Sequence, residues 1–280
     1  MNTPKLRIFE KTLSWIIVIF AMIFVLVPIA WLVIQSLTPS GFIVNISLKI
    51  FEQVNLSNYA AVLDPSTSGF LGNVQNSIII AAISTAVTVS LGSSSGYAFA
   101  KLRFRGSSDV KTWILSMRFF PPISIVIPLY LLWGSLGLTD TIAGMVLVYT
   151  ALNLPFSVWL MSSFFEDLPV EIEEAAMVDG CSRLQAFRRV VMPLVTGGLA
   201  VTALFTFIMC WNEFIFALAL TSDKAATVTR GLTGMIGMYG GLRWGQMSAA
   251  GVLLVLPILV AVFLLQRHIV RGMTFGAVKA

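Results

Sequence analysis

The chain of 280 residues is 57% hydrophobic and only 11% charged, with a mean hydropathy of +0.90. A soluble domain carries about 25% charged residues because something must face water, so this composition excludes a soluble globule and a disordered chain and leaves an integral membrane protein. The net charge of +5 requires no nucleic acid or other acidic partner, since basic loops flanking membrane spans produce it.

Counting removes several chemistries. One histidine, His268, and two cysteines, Cys181 and Cys210, cannot supply a zinc or haem constellation, a disulfide framework or a Cys–His nucleophile pair. None of the seven lysines (5, 11, 49, 101, 111, 224 and 279) follows a glycine, so a Gly-Lys-Ser/Thr phosphate loop is absent. The chain is expected to hold no metal, no catalytic residues and no ATP site of its own.

The first candidate span covers about 13–34, inside a stretch, 12–48, that carries no charge. A helix rising 1.5 Å per residue needs about 20 apolar residues to cross a hydrocarbon core of about 30 Å. The run is too long for a signal-peptide core and is followed by no Ala-x-Ala cleavage site, so a retained span is expected. Further candidates lie at about 76–100, 111–133, 142–165, 194–220 and 245–267. The second is diluted by Ser84, Ser90, Gly92, Ser93, Ser94, Ser95 and Gly96, which suits a helix packed closely against others in a bundle. Pro28, Pro121, Pro122, Pro128, Pro155 and Pro257 fall inside candidate spans, where each removes a backbone hydrogen bond and invites a kink.

Orientation follows from lysine and arginine alone. Thirteen lie in the N-terminus, the loops after the second and fourth spans, and the tail; Lys49, Lys224, Arg230 and Arg243 lie on the other side, and Arg118 falls within a span. This asymmetry places both termini in the cytoplasm, with which six spans agree. The expectation is a single all-α transmembrane domain over 1–280, in a cytoplasmic membrane.

One loop departs from the rest. Residues 166–193 hold Glu166, Asp167, Glu171, Glu173, Glu174 and Asp179, six of the thirteen acidic residues. Pro169 can open a helix, whose first turns then carry Glu171, Glu173 and Glu174 near the positive end of the dipole. Asp179-Gly180 ends it, glycine supplying the left-handed cap. Ser182 with Gln185 forms a capping box for a second helix. Leu184, Phe187, Val190 and Val191 make its apolar stripe, Arg183, Arg188 and Arg189 its polar side, and Pro193 stops it. A soluble helix–turn–helix on the cytoplasmic face is predicted.

The spacing Glu174-Ala175-Ala176, three residues, Gly180, nine residues, Val190-Val191-Met192-Pro193 resembles the EAA loop of binding-protein-dependent ABC importer permeases. Valine and methionine replace that pattern's isoleucine and leucine and keep it apolar. Trp211-Asn212-Glu213-Phe214 with Phe216-Ala217-Leu218, Ile127-Pro128-Leu129-Tyr130, and Arg271-Gly272-Met273-Thr274 with Gly276-Ala277-Val278-Lys279 are similar to the carbohydrate branch that includes the smaller membrane subunit of the maltose transporter. The resemblance implies a six-span permease half that pairs with a second membrane subunit. Two ATPase subunits, holding the ATP and magnesium, would drive it, and an extracytoplasmic solute-binding protein would deliver a sugar or polyol. Glu173, Glu174, Ala175, Ala176, Asp179, Gly180, Arg183 and Pro193 would form the coupling helix that meets an ATPase subunit. Trp211, Asn212 and Glu213 would face the pathway or the binding protein.

Single residues carry rival readings. Arg118 lies about 10 Å of helix from Lys111, so snorkelling to the cytoplasmic interface is expected over a functional site in the membrane. Glu213, about 30 Å of helix beyond Pro193, is placed near the external interface, as a binding-protein contact or a carboxylate beside Trp211. His268, among Arg267 and Arg271, reads as interfacial. Phe119, Phe120, Trp133, Tyr149, Trp159 and Trp211 could stack on sugar faces, though most are expected in the lipid belt or the core. A self-contained transporter or channel would need a carboxylate at mid-span and often inverted repeats. A membrane enzyme would need a catalytic set that this histidine and cysteine stock does not provide.

Overall fold

A computed structural model describes residues 4–38, 54–66, 68–102, 104–237 and 241–276. Lys49, Arg103, Ala277, Val278 and Lys279 lie outside the described residues, as do the side chains from His268 onward. In chain order the helices are α1 (Pro4–Ser36), α2 (Ser57–Leu63), α3 (Phe70–Lys101), α4 (Ser107–Ser116), α5 (Pro122–Ser135), α6 (Ile142–Glu166), α7 (Val170–Val178), α8 (Arg183–Leu194), α9 (Thr196–Trp211), α10 (Ile215–Leu220), α11 (Val228–Gly231) and α12 (Trp244–Gly276). Two-residue strands β1 (Ile236–Gly237) and β2 (Gly241–Leu242) pair antiparallel, Ile236 opposite Leu242. The fold is all-α.

Four helices are long and apolar enough to cross a membrane unaided: 11–36 of α1, all of α3 and α6, and 244–267 of α12. The count reaches six if each of two bent pairs makes one crossing, α4 against α5 at 90° and α8 against α9 at 77°. The third expected span, 111–133, is therefore not one helix. After α4 the chain tightens into a 3₁₀ turn at Met117–Phe119, and Phe120 and Pro121 are extended, with ψ of 128° and 122°. Each precedes a proline, which disfavours helical backbone, and Pro122 restarts α5 at a position where its missing N–H costs nothing. The fifth span also differs from the continuous 194–220 expected. It unwinds after Trp211 and resumes at Ile215.

Two compact units divide the chain, 1–69 with 234–256 and 70–233 with 257–280. In the first, α1 leaves Trp15, Phe20 and Phe24 exposed, as a lipid-facing helix must. Its C-terminal end is fixed by α2, where Asn58 Nδ2 donates to the carbonyls of Ser36 (3.0 Å) and Thr38 (2.8 Å).

The second unit is built on α3 and α6. A Cβ on Gly92 would stand 2.1 Å from Ser157 Oγ, and one on Gly96 2.8 Å from the Ser162 nitrogen. The glycines four apart let the two backbones close to a distance that no side chain would permit. Ser84, Ser93, Ser157 and Ser162 are buried along the same seam, so the small-residue composition expected to serve packing does so. Two apolar clusters lie along the bundle: Ile80, Met145, Tyr149, Phe216 and Leu220 near one end, and Tyr97, Met161, Phe165, Val191 and Val195 beside the 166–193 loop.

Candidate functional site

The 166–193 loop folds from local rules. Pro169 occupies the N-cap of α7 in extended conformation, with φ −57° and ψ 137°, and Glu171 and Glu173 fall in the first turn. At the other end Gly180 has φ +89°; the Cys181 N–H donates to Ala176 and the Gly180 N–H to Met177, both carbonyls (3.0 and 3.1 Å). That double bond is a Schellman cap, which needs a left-handed residue at its centre. Ser182 and Gln185 then cap α8 reciprocally, Ser182 N to Gln185 Oε1 at 2.8 Å and Gln185 N to Ser182 Oγ at 3.4 Å. Pro193 has no N–H for the Arg189 carbonyl, and just before it the Met192 N–H reaches back five residues to Phe187, giving a π-helical turn over Phe187–Val191.

The acidic helix presents two faces. Glu174, Ala175, Asp179, Gly180 and Arg183 are exposed together with Val178 and Leu184, and Pro193 is exposed at the far end of α8. Leu184, read as part of the apolar stripe, is therefore 59% exposed, whereas Ala186 and Val191 are buried. Glu173 also departs from expectation. Only 5% exposed, it turns away from Glu174 and accepts a hydrogen bond from Tyr97 Oη of α3. The Tyr97 ring lies 4.5 Å from Phe187 and 5.7 Å from Phe165, centre to centre. Lys101 Nζ donates to the Leu168 carbonyl (2.6 Å), and Lys111 pairs with Glu166 (2.6 Å), which Ser162 Oγ also meets (2.9 Å). The helix pair is thus fastened at its base to α3 and α6, with the Glu174–Gly180 face left open.

At the opposite end, Trp211 is buried and Asn212 is exposed. Glu213 sits in the break between α9 and α10, where its oxygens accept the N–H groups of Phe216 (3.0 Å) and Ala217 (3.1 Å) and the hydroxyl of Tyr149 (3.1 Å). It thereby caps the first turn of α10, satisfying two N–H groups that have no partner within the helix. The six residues of α10 separate it by about 10 Å from Leu220, whose carbonyl receives the Asp140 N–H in the connecting layer. Burial of Trp211 and Tyr149 removes both from any role as open sugar platforms.

Asp140 holds that layer together. A non-glycine residue with φ +53°, it aims its carboxylate at the N–H groups of Ser222 (2.9 Å), Asp223 (3.2 Å), Lys224 (3.1 Å) and Ala225 (3.1 Å) and at Ser222 Oγ (2.8 Å). Burial opposes ionisation, but these donors outweigh it and hold the carboxyl well below the usual carboxylate range. Arg118 does not snorkel toward Lys111. Its Nη1 donates to the Leu152 carbonyl of α6 (2.8 Å) and its Nη2 to Met209 Sδ of α9 (3.0 Å). Among the described residues no group of three or more His, Cys, Asp or Glu could hold a metal ion.

Residues 88–275 match the family of binding-protein-dependent transport system inner membrane components. The chain belongs to this family. The permease is 35% identical to the trehalose/maltose transport system permease protein MalG of Thermococcus litoralis over 274 residues, 98% of each chain. It is likewise 35% identical to the trehalose transport system permease protein SugB of Mycobacterium tuberculosis, over 91% of this chain and 93% of that one. Its fold superposes on a chain in the crystal structure of a bacterial ABC transporter involved in the import of alginate, with a TM-score of 0.77, 22% identity and coverage of 95% and 98%.

The family match spans the exposed helix pair, both broken crossings and the Asp140 layer of this permease. Sequence reasoning did not single out Tyr97 or Asp140. A hydroxyl-bearing aromatic one turn before Lys101, at the loop end of a span, was the available signal for Tyr97; a lone aspartate in a short connection between apolar helices was the signal for Asp140.

Proposed function

We propose that this permease forms one membrane half of an ATP-driven importer for a carbohydrate or related polyol, with the α7–α8 pair as its coupling element. Its family is defined by dependence on a binding protein, and its relatives are named for trehalose and maltose. A second permease subunit would complete the pathway, two ATPase subunits would hold ATP and magnesium, and an extracytoplasmic binding protein would deliver the solute. The α7–α8 pair faces the cytoplasm on this reading, as the basic-residue asymmetry requires. The observation that carries the proposal is the open face of Glu174, Ala175, Asp179, Gly180 and Arg183 on a helix pair tied to the spans by Tyr97, Lys101 and Phe165. Force applied to such a surface reaches α3 through Tyr97 and Lys101, and α6 through the Phe187–Phe165 contact. Ala176 and Glu173 support that surface from beneath, and Pro193 sets where α8 turns into α9.

The test uses Glu174→Lys and Gly180→Asp. No atom lies within 4 Å of a Cβ on Gly180, so the substitution meets no clash; the positive φ alone costs about 1 kcal/mol. Both variants should reach the membrane at normal abundance, lose solute uptake, and lose or uncouple co-purified ATPase subunits. Normal uptake in both would sink the coupling assignment, and lost abundance would mark the loop as merely structural.

A further inference from the structure

The contacts of Arg118 place its guanidinium deep in the bundle. Leu152, whose carbonyl it engages, lies ten residues from Ile142 and fourteen from Glu166 along α6, about 15 and 21 Å from the two ends. The side chain is nonetheless exposed in this chain. No ion pair to Arg118 exists among the described residues, where the Lys111–Glu166 pair stands alone. A carbonyl and a thioether occupy two of its five N–H donors and bring no compensating charge. A charged group at that depth does not face hydrocarbon; it lines water or a protein cavity.

The backbone around it obeys the same constraint. Between α4 and α5 the 3₁₀ turn and the extended Phe120–Pro121 segment leave polar groups outside a helical ladder, which membrane depth tolerates only where protein or a watery cavity meets them. Beside this break lies an open groove of about 670 Å³, bordered by Ser116, Met117, Phe119, Phe120, Pro121 and Ile125 but not by Arg118, whose guanidinium reaches α6 and α9 instead. The residues that line this groove include no carboxylate.

We propose that Arg118 is a fixed positive charge on the wall of the solute pathway at mid-membrane depth, where it favours neutral polyhydroxyl and anionic solutes over cationic ones. This rests on the importer reading above. The guanidinium stays charged at any physiological pH, and its free donors suit hydroxyl, carboxylate or sulfonate oxygens. An ammonium-bearing solute meets repulsion in a medium less screening than bulk water.

Thiol labelling in the assembled transporter, in native membranes, tests this without knowing the solute. With Cys181 replaced by serine as background, Phe120→Cys is exposed to two methanethiosulfonates of similar size, one carrying a sulfonate and one a trimethylammonium group. The engineered thiol should react with both, and Arg118→Gln should lower the sulfonate-to-ammonium rate ratio by at least about fivefold. Arg118→Lys should keep the ratio near its original value, which separates charge from misfolding. Reaction only with lipid-soluble N-ethylmaleimide would mean a lipid-facing surface, and reaction with no reagent a surface sealed by the second permease. An unchanged ratio would mean that the charge is not felt. Each of these three results overturns the proposal. The labelling needs no transport, so its failure is separable from failure of the coupling assignment, which is read from co-purified ATPase.

Discussion

Glu173 and Glu174 are adjacent acids of the same type with opposite fates, because one α-helical step rotates a side chain by about 100°. Glu174 meets solvent, whereas Glu173 is buried against Tyr97. A buried carboxylate is held by its donor, and removing that donor leaves a desolvated acceptor costing about 1–3 kcal/mol. Tyr97→Phe should therefore lower the thermal midpoint of the detergent-purified protein, although it deletes a single oxygen. Combining it with Glu173→Met removes both partners and should recover most of the loss, since replacing a buried polar pair by apolar groups is nearly neutral. Additive losses in the double variant would show that the two side chains act independently.

Among elements, the α3–α6 seam is the least forgiving. Gly92→Ala forces a Cβ into Ser157 and should destabilise by about 1–3 kcal/mol, as overpacking does. Gly72→Ala on the same helix meets nothing within 4 Å and should stabilise by up to about 1 kcal/mol through helix propensity. Thermal midpoints of the two variants check both signs; a Gly92→Ala variant as stable as Gly72→Ala would refute the close approach. The same seam shows what the sequence made legible. Its glycines and serines announced packing because small residues have few other uses in a span. The α7–α8 pair was equally readable, since Pro169, Gly180, Ser182 and Gln185 each impose a local geometry that tertiary context left in place; Pro193, expected to stop α8, instead lies inside it, and the helix ends after Leu194. The broken crossings were not readable. Hydropathy averages over a window and sees Pro121-Pro122 as a kink, whereas the extended backbone at Phe120 and Pro121 turns it into a right angle. Arg118 was misjudged for a related reason. Its reach to the interface was adequate, but the acceptor that captures it is the Leu152 carbonyl on α6, one turn from Pro155, and no one-dimensional distance reports that.

For the whole molecule, the distribution of basic residues predicts the orientation, and on the proposed reading the helix pair must share a side with both termini to meet ATPase subunits. Reporter fusions after Lys111 and after Arg189 should signal cytoplasm, and fusions at Lys49 and Lys224 the outside. An external signal after Arg189 would remove the α7–α8 pair from any cytoplasmic partner and the importer mechanism with it.

The seam between α3 and α6 also governs the order in which the protein is made. The two helices that fit most tightly are not neighbours in sequence, because α4 and α5 emerge between them. Until Ile142–Glu166 has entered the bilayer, Ser84 and Thr88 of α3 lack the helix that buries them in the finished fold, whereas Ser93 already donates to the Val89 carbonyl of its own helix. The nascent chain therefore carries these two hydroxyls without their partner helix for at least 41 residues, from Leu102 to Ile142.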